Sequence, residues 1–151
     1  MTLTLEDRAG IGDLVIAYAY AVDERDWKAF EALFVPDAKI DYKSAGGVSG
    51  SPAEVAAWMP NALSFFTWTM HSVFSHRIEM TGADTAKGSL HVVARHGLLW
   101  EGASEIMDVT GIYRDEYVRT LNGWRFAARR EDTMSFTGGK FAAMAASRVK
   151  N

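Results

Sequence analysis

Apolar and polar positions change rhythm along this chain. Up to about Phe65 the apolar residues recur every three or four positions, and from Trp68 onward they alternate. The first spacing belongs to helices and the second to strands. Ile11, Leu14, Val15, Tyr18, Ala21 and Val22 fall on one apolar stripe, which predicts a helix ending near Val22. Thr4 followed by Asp7 resembles a capping pair at its start. A polar joint, Asp23-Glu24-Arg25-Asp26, separates it from a second helix over Trp27–Phe34. Asp26 caps that helix, Phe30, Leu33 and Phe34 turn inward, and Pro36 stops it. Ala38–Tyr42 reads as a strand and Ser44–Gly50 as a glycine-rich loop. Ser51-Pro52-Ala53-Glu54 joins a cap serine, a proline at the first helical position and a glutamate at the third, and opens a third helix to about Phe65.

Long strands follow over Trp68–Thr81, Lys87–Trp100, Ser104–Leu121 and Gly123–Phe136. The turns between them are short, which implies antiparallel neighbours, and strands of this length twist and curve. Gly138-Gly139 and the alanine-rich Phe141–Ala146 predict a short terminal helix. Helices first and sheet after is the order of an α+β fold, expected here as one domain over residues 1–151. The helices cover the concave side of a curved, mainly antiparallel sheet, and a ligand pocket lies between the two layers.

Composition narrows the function. With 151 residues, 48% of them apolar, the chain can bury one sizeable core. Its net charge is −3, and no basic cluster exceeds Arg129-Arg130, which argues against nucleic acid. No cysteine is present, so disulfides, thiolate nucleophiles and Cys-bound metals are excluded. The first ten residues lack the basic start and apolar stretch of a signal peptide, and no apolar run approaches the ~20 residues of a membrane span. A cytoplasmic protein without a membrane partner is expected. No tight histidine spacing, G-x-S-x-G or lysine-bearing glycine loop occurs, so neither metal nor cofactor is expected.

Two residues of the first helix stand out. Tyr18 carries a hydroxyl on the apolar stripe, and Asp23 a carboxylate at its end. Taken singly, such residues are most often a core tyrosine and a solvated helix end, but once buried each needs a partner. Strand-borne His71 and His96 can supply one. Alternation puts Thr69, His71, Val73 and Ser75 on one face, and Met70, Ser72, Phe74, His76 and Ile78 on the other. In the next strand Ala94, His96, Leu98 and Trp100 share a face, opposite His91. Both faces are apolar enough that the sequence leaves the inward one open. A subunit contact through Phe74, Ile78 and Met80, with Val109 or Tyr113, is expected on the outer face.

The runs YAYAVDERDWKAFEALFVPDAKIDY, MHSVFSH and GIYRDEYVRTLNGWRFAARR resemble the SnoaL-like branch of the NTF2-like superfamily over nearly the whole chain. Within it the likeness is greatest to scytalone dehydratase and the bile-acid 7α-dehydratases. The resemblance implies a conical α+β barrel with its pocket in the open end. The bile-acid enzymes use a tyrosine, an aspartate five residues later and a strand histidine, matched by Tyr18, Asp23 and His71. Scytalone dehydratase uses an aspartate, a strand tyrosine and two strand histidines, matched by Asp23, Tyr42, His71 and His96. Val22 departs from the pattern, because the fungal enzyme has a tyrosine there; Tyr18 or Tyr20 can substitute.

The expectation is a cofactor-free dehydratase acting on a small, hydrophobic, cyclic β-hydroxy carbonyl compound. His71 is the base, since imidazoles as a class titrate near neutral pH. Asp23 orients either His71 or His96, His96 protonates the departing hydroxyl, and Tyr18 or Tyr42 holds the enolate oxygen. The alternatives are an isomerase or polyketide-cyclase-type enzyme on a polycyclic ketone, and a non-catalytic binding module. The dehydratases of this resemblance imply a homotrimer, with a dimer as the alternative.

Overall fold

In the computed structural model, which describes residues 2–149, both capping arrangements form. Helix α1 (Leu5–Asp23) starts with the Thr4 hydroxyl accepting from the Asp7 amide while Asp7 accepts from the Thr4 amide. Helix α2 (Trp27–Ala32) is capped by Asp26, whose Oδ1 accepts from the Ala29 amide at 2.9 Å. It is shorter than expected. Phe34 already belongs to strand β1 (Phe34–Asp41), and Pro36 lies within that strand instead of ending a helix. The ladder between β1 and its neighbour jumps from Phe34 to Lys39, so the proline, which has no amide hydrogen, sits where the strand makes no regular pairing.

Beyond a single helical turn at Lys43–Ala45 come the short strand β2 (Ser49–Gly50) and helix α3 (Pro52–Ala62). The long strands are β3 (Phe66–Met80), β4 (Thr85–Trp100), β5 (Ala103–Thr120) and β6 (Gly123–Gly138), followed by helix α4 (Lys140–Val149). They form a six-stranded sheet in the order β2-β1-β6-β5-β4-β3. Only β1 with β6 is parallel; the other neighbours are antiparallel. The sheet is curved and open, with α1 packed on its inner face against β3 and β6. Tyr18, Val22, Phe30, Ile40, Tyr113 and Phe126 fill the space between.

Strict alternation fails in β3. Ser75, with φ 54, is an extra residue where the ladder with β4 shifts between Phe74 and Arg77. The shift brings His76, Ile78 and Met80 to the core side, the side of His71, where alternation had put His76 opposite. The His76 Nε2 stands 3.0 Å from the Tyr117 hydroxyl. It also corrects the expected subunit contact. Ile78 and Met80 pack on the core, and Val109 and Tyr113 are buried in it. Exposed apolar residues on the outer face include Trp68, Met70, Phe74, Leu99 and Ile106. Among the described residues, no helix is long and apolar enough to cross a membrane.

Candidate active site

Asp23 is the last residue of α1 and meets β3 there. Its Oδ1 lies 2.7 Å from His71 Nδ1, and its Oδ2 accepts from the His71 amide at 2.8 Å. The Thr69 hydroxyl donates to Oδ1 at 3.0 Å, and Arg25 Nη1 in turn donates to Thr69 at 2.7 Å and to the Val22 carbonyl at 3.0 Å. Arg25 adopts φ 61, a left-handed turn that carries the chain away from the helix. One carboxylate thus holds both the backbone and the ring of His71. Burial opposes its charge, but the hydrogen bonds and charge of His71, with Thr69, hold its pKa below the ordinary aspartate value. A carboxylate on Nδ1 fixes the proton there and leaves Nε2 as the basic nitrogen.

His71, His96, Tyr18 and Tyr42 line one cavity of about 420 Å³, walled otherwise by groups such as Trp58, Phe66, Phe136 and Phe141. Asp23 is not on its wall; it stands behind His71. Tyr20 is exposed on α1, so Tyr18 is the helix tyrosine at the cavity. A charged cleft of about 540 Å³, lined by residues including Arg77, Glu79, Lys87, Arg114 and Arg130, holds none of the groups predicted from sequence. Most of its charges pair locally, Lys87 with Glu79, and Arg114 and Arg130 with Asp132.

The hydroxyls of Tyr18 and Tyr42 are 2.7 Å apart, in the interior. Burial raises the pKa of both phenols, Tyr42 well above its usual value, so both stay protonated and able to donate. Behind them Arg129 lies with Cζ 4.1 Å from the Tyr18 ring centroid and 4.2 Å from that of Tyr113. Its positive charge partly offsets the effect of burial on Tyr18.

His96 faces His71 with ring centroids 6.2 Å apart, and packs on Phe66 at 4.5 Å. Burial, aided by the charge of His71, pushes its pKa down to about 4. Its Nδ1 is buried without a hydrogen-bond partner among the described residues. It is therefore uncharged near neutral pH, and its expected role as a proton donor loses support.

The sequence reading missed Glu131, a carboxyl on the same cavity wall and only 8% exposed. Burial raises its pKa, with a Thr133 hydrogen bond and the charges of His71 and Arg129 pulling the other way. Counting by twos from Trp124 and Phe126 sends Arg129 and Glu131 outward. An extra residue at Ala127, where the ladder with β5 shifts, reverses the count and turns both inward. The signal was the small pair Ala127-Ala128, where β6 loses its large side chains.

The SnoaL-like domain profile matches residues 3–130. An uncharacterised protein of Mycobacterium tuberculosis is 32% identical over 133 residues, covering 87% of this chain and 88% of its own. The gamma-hexachlorocyclohexane dehydrochlorinase of Sphingobium indicum is 30% identical over 134 residues, covering 88% of this chain and 84% of its own. The crystal structure of a putative aromatic ring hydroxylase from Novosphingobium aromaticivorans superimposes with a TM-score of 0.81 at 27% identity, covering 94% of this chain and 99% of that one. With the profile matched over most of its length, on a curved sheet covered by N-terminal helices, the chain belongs to the SnoaL-like family of the NTF2-like superfamily.

Proposed function

We propose that this protein is a dehydratase that removes water from a hydrophobic, cyclic β-hydroxy carbonyl compound. The observation that carries the reading is the His71–Asp23 pair, 2.7 Å apart, with the ring of His71 on the wall of a largely apolar cavity. His71 Nε2 takes the proton beside the substrate carbonyl, and Asp23 stabilises the resulting imidazolium. The negative charge moves to the carbonyl oxygen, where the Tyr18–Tyr42 hydroxyl pair donates to it. The C–O bond at the β carbon then breaks. Because the carbonyl accepts the electrons, the reaction itself calls for no metal or nicotinamide. His96, neutral at working pH, hydrogen-bonds the substrate without transferring a charge-borne proton.

A second reading, loss of halide instead of hydroxide, is supported by the 30% identity to a dehydrochlorinase. The base and cavity serve both, since both begin with removal of a proton. The outer-face residues Trp68, Met70, Phe74 and Ile106 support a homotrimer, or else a dimer, with the active cavity in each subunit.

The test is product analysis by mass spectrometry after incubation with 3-hydroxycyclohexanone and its bicyclic homologues. Loss of one water, abolished in a folded His71→Ala variant, is the expected result. Products of unchanged mass indicate an isomerase or cyclase. A folded His71→Ala variant that keeps the full rate of water loss overturns the reading.

A further inference from the structure

Hydroxide is a poor leaving group, and elimination of water needs an acid as well as a base. The base described above leaves that position open, since His96 is neutral and lies on the strand next to His71. We propose that Glu131 is the catalytic acid, its Oε2 protonating the departing hydroxyl from the wall across the cavity from His71. This rests on the dehydratase reading.

The sheet order sets the geometry. Glu131 is on β6 and His71 on β3, with β5 and β4 between them as the floor. Three strand spacings of ~4.8 Å give about 14 Å along the curved sheet. Side chains reaching in from both walls leave room for a ring between them, with Val109 and Ala94 of the floor beneath it. The α hydrogen then faces one wall and the β-hydroxyl the other.

The surroundings of Glu131 fit a proton donor better than a structural carboxylate. A buried carboxylate kept for stability is ordinarily matched by a cation. Arg129 is two residues away on the same face, yet its Nε and Nη2 donate to Asp115, and its Nη1, buried without a hydrogen-bond partner among the described residues, does not bond Glu131. Glu131 instead receives one hydroxyl, from Thr133 to Oε1 at 3.2 Å, and Oε2 receives no hydrogen bond among the described residues. Ser44 fastens the strand beneath it, bonding the Glu131 carbonyl and the Thr133 amide and hydroxyl. The carboxyl is thus held at one oxygen and free at the other, and burial favours its protonated form.

The step balances. His71 Nε2 takes the α proton and the C–H pair becomes the new π bond. The C–O pair leaves with oxygen, and the Glu131 proton completes a water molecule. Proton return from His71 to Glu131 through solvent restores the site.

Paired leaving groups test this, because chloride departs without a proton. Wild type and Glu131→Gln are compared on 3-hydroxycyclohexanone and 3-chlorocyclohexanone, each corrected for the uncatalysed rate. Glu131→Gln is expected to slow water loss about 100-fold or more and chloride loss by less than about tenfold. It also removes the alkaline limb of the kcat/KM profile for water loss, which Glu131→Asp retains. Equal slowing of both reactions, or of neither, overturns the role of Glu131 while leaving the dehydratase reading intact. A wild type that eliminates from neither compound overturns both.

Discussion

Arg129 grips Asp115 in the closed interior through Nε to Oδ1 at 2.8 Å and Nη2 to Oδ2 at 2.6 Å, with neither side chain exposed. Tyr117 donates to the same carboxylate at 2.7 Å. The face of the guanidinium is covered by Tyr18, Tyr113 and Phe126. The pair connects the framework of the sheet to the tyrosines of the cavity. Removing one partner strands a buried charge. Asp115→Ala is expected to lower stability by about 3 to 5 kcal/mol, read from the urea midpoint. Replacing Arg129 and Asp115 together with Met and Leu is expected to cost less than the single change. A single variant as stable as wild type contradicts this account.

Asp23 sets the tautomer of His71. Asp23→Asn presents an amide where the ring has a carboxylate, so Nε2 no longer stands ready for its proposed role as the base. The expected fall in kcat for elimination is between about 10² and 10⁴-fold. Steady-state kinetics on the wild-type substrate checks it, with circular dichroism showing that the variant folds. Wild-type turnover in Asp23→Asn rules out the pair as the base.

His96 predicts how stability varies with pH. Its folded pKa of about 4 lies below its ordinary value of 6.5, so the unfolded chain binds more protons between those limits. Stability from this group is complete above pH 6.5 and disappears as the pH falls toward 4, a loss of roughly 3 kcal/mol for the 2.5-unit difference. Glu131 runs the opposite way, because its folded pKa is raised: its contribution is complete below the unfolded value and is lost as the pH rises through the folded one. His96→Gln isolates the first effect. Urea unfolding between pH 4 and 7 is expected to show a shallower dependence in the variant, and an unchanged slope contradicts the assignment.

The last turn into α4 depends on two glycines. Gly138 has φ 136, and a methyl group there meets the Ile106 carbonyl oxygen within 2.0 Å. A methyl on Gly139 meets the Glu105 carboxyl, which accepts from the Lys140 and Phe141 amides at 3.1 and 3.0 Å. Glu105 thus caps a helix whose Phe141 and Met144 form part of the cavity wall. Glu105→Ala is expected to weaken the cap by about 1 kcal/mol, and to raise KM more than it lowers kcat. Hydrogen exchange over residues 140–149 should quicken in parallel. Exchange equal to wild type argues against the cap.

How much of this was legible in the sequence depends on which forces act locally. Thr4 with Asp7, and Ser51 with Glu54, satisfy helix amides three residues away, and both were readable as written. The long strands announce themselves by alternation, and His71 and His96 face inward together as their positions allow. The failures come where pairing with a distant strand overrides the local rule. Phe34 continues a helical stripe, yet it is drawn into β1 by the parallel ladder with β6. Extra residues at Ser75 and Ala127 change which face each following side chain takes. The first moved His76 and Ile78 inward, and the second did the same for Arg129 and Glu131. A bulge depends on the register of two strands at once, which one strand's pattern does not contain.

The contact of Asp23 with the amide and ring of His71 joins parts of the chain 48 residues apart. The basic nitrogen is accordingly a property of docked α1 and β3, and no local segment can produce it. On the proposed mechanism, any partly formed species in which the first helix has lifted away is catalytically silent, however much of the sheet survives. Recovery of turnover during refolding would therefore time the closure of that one junction.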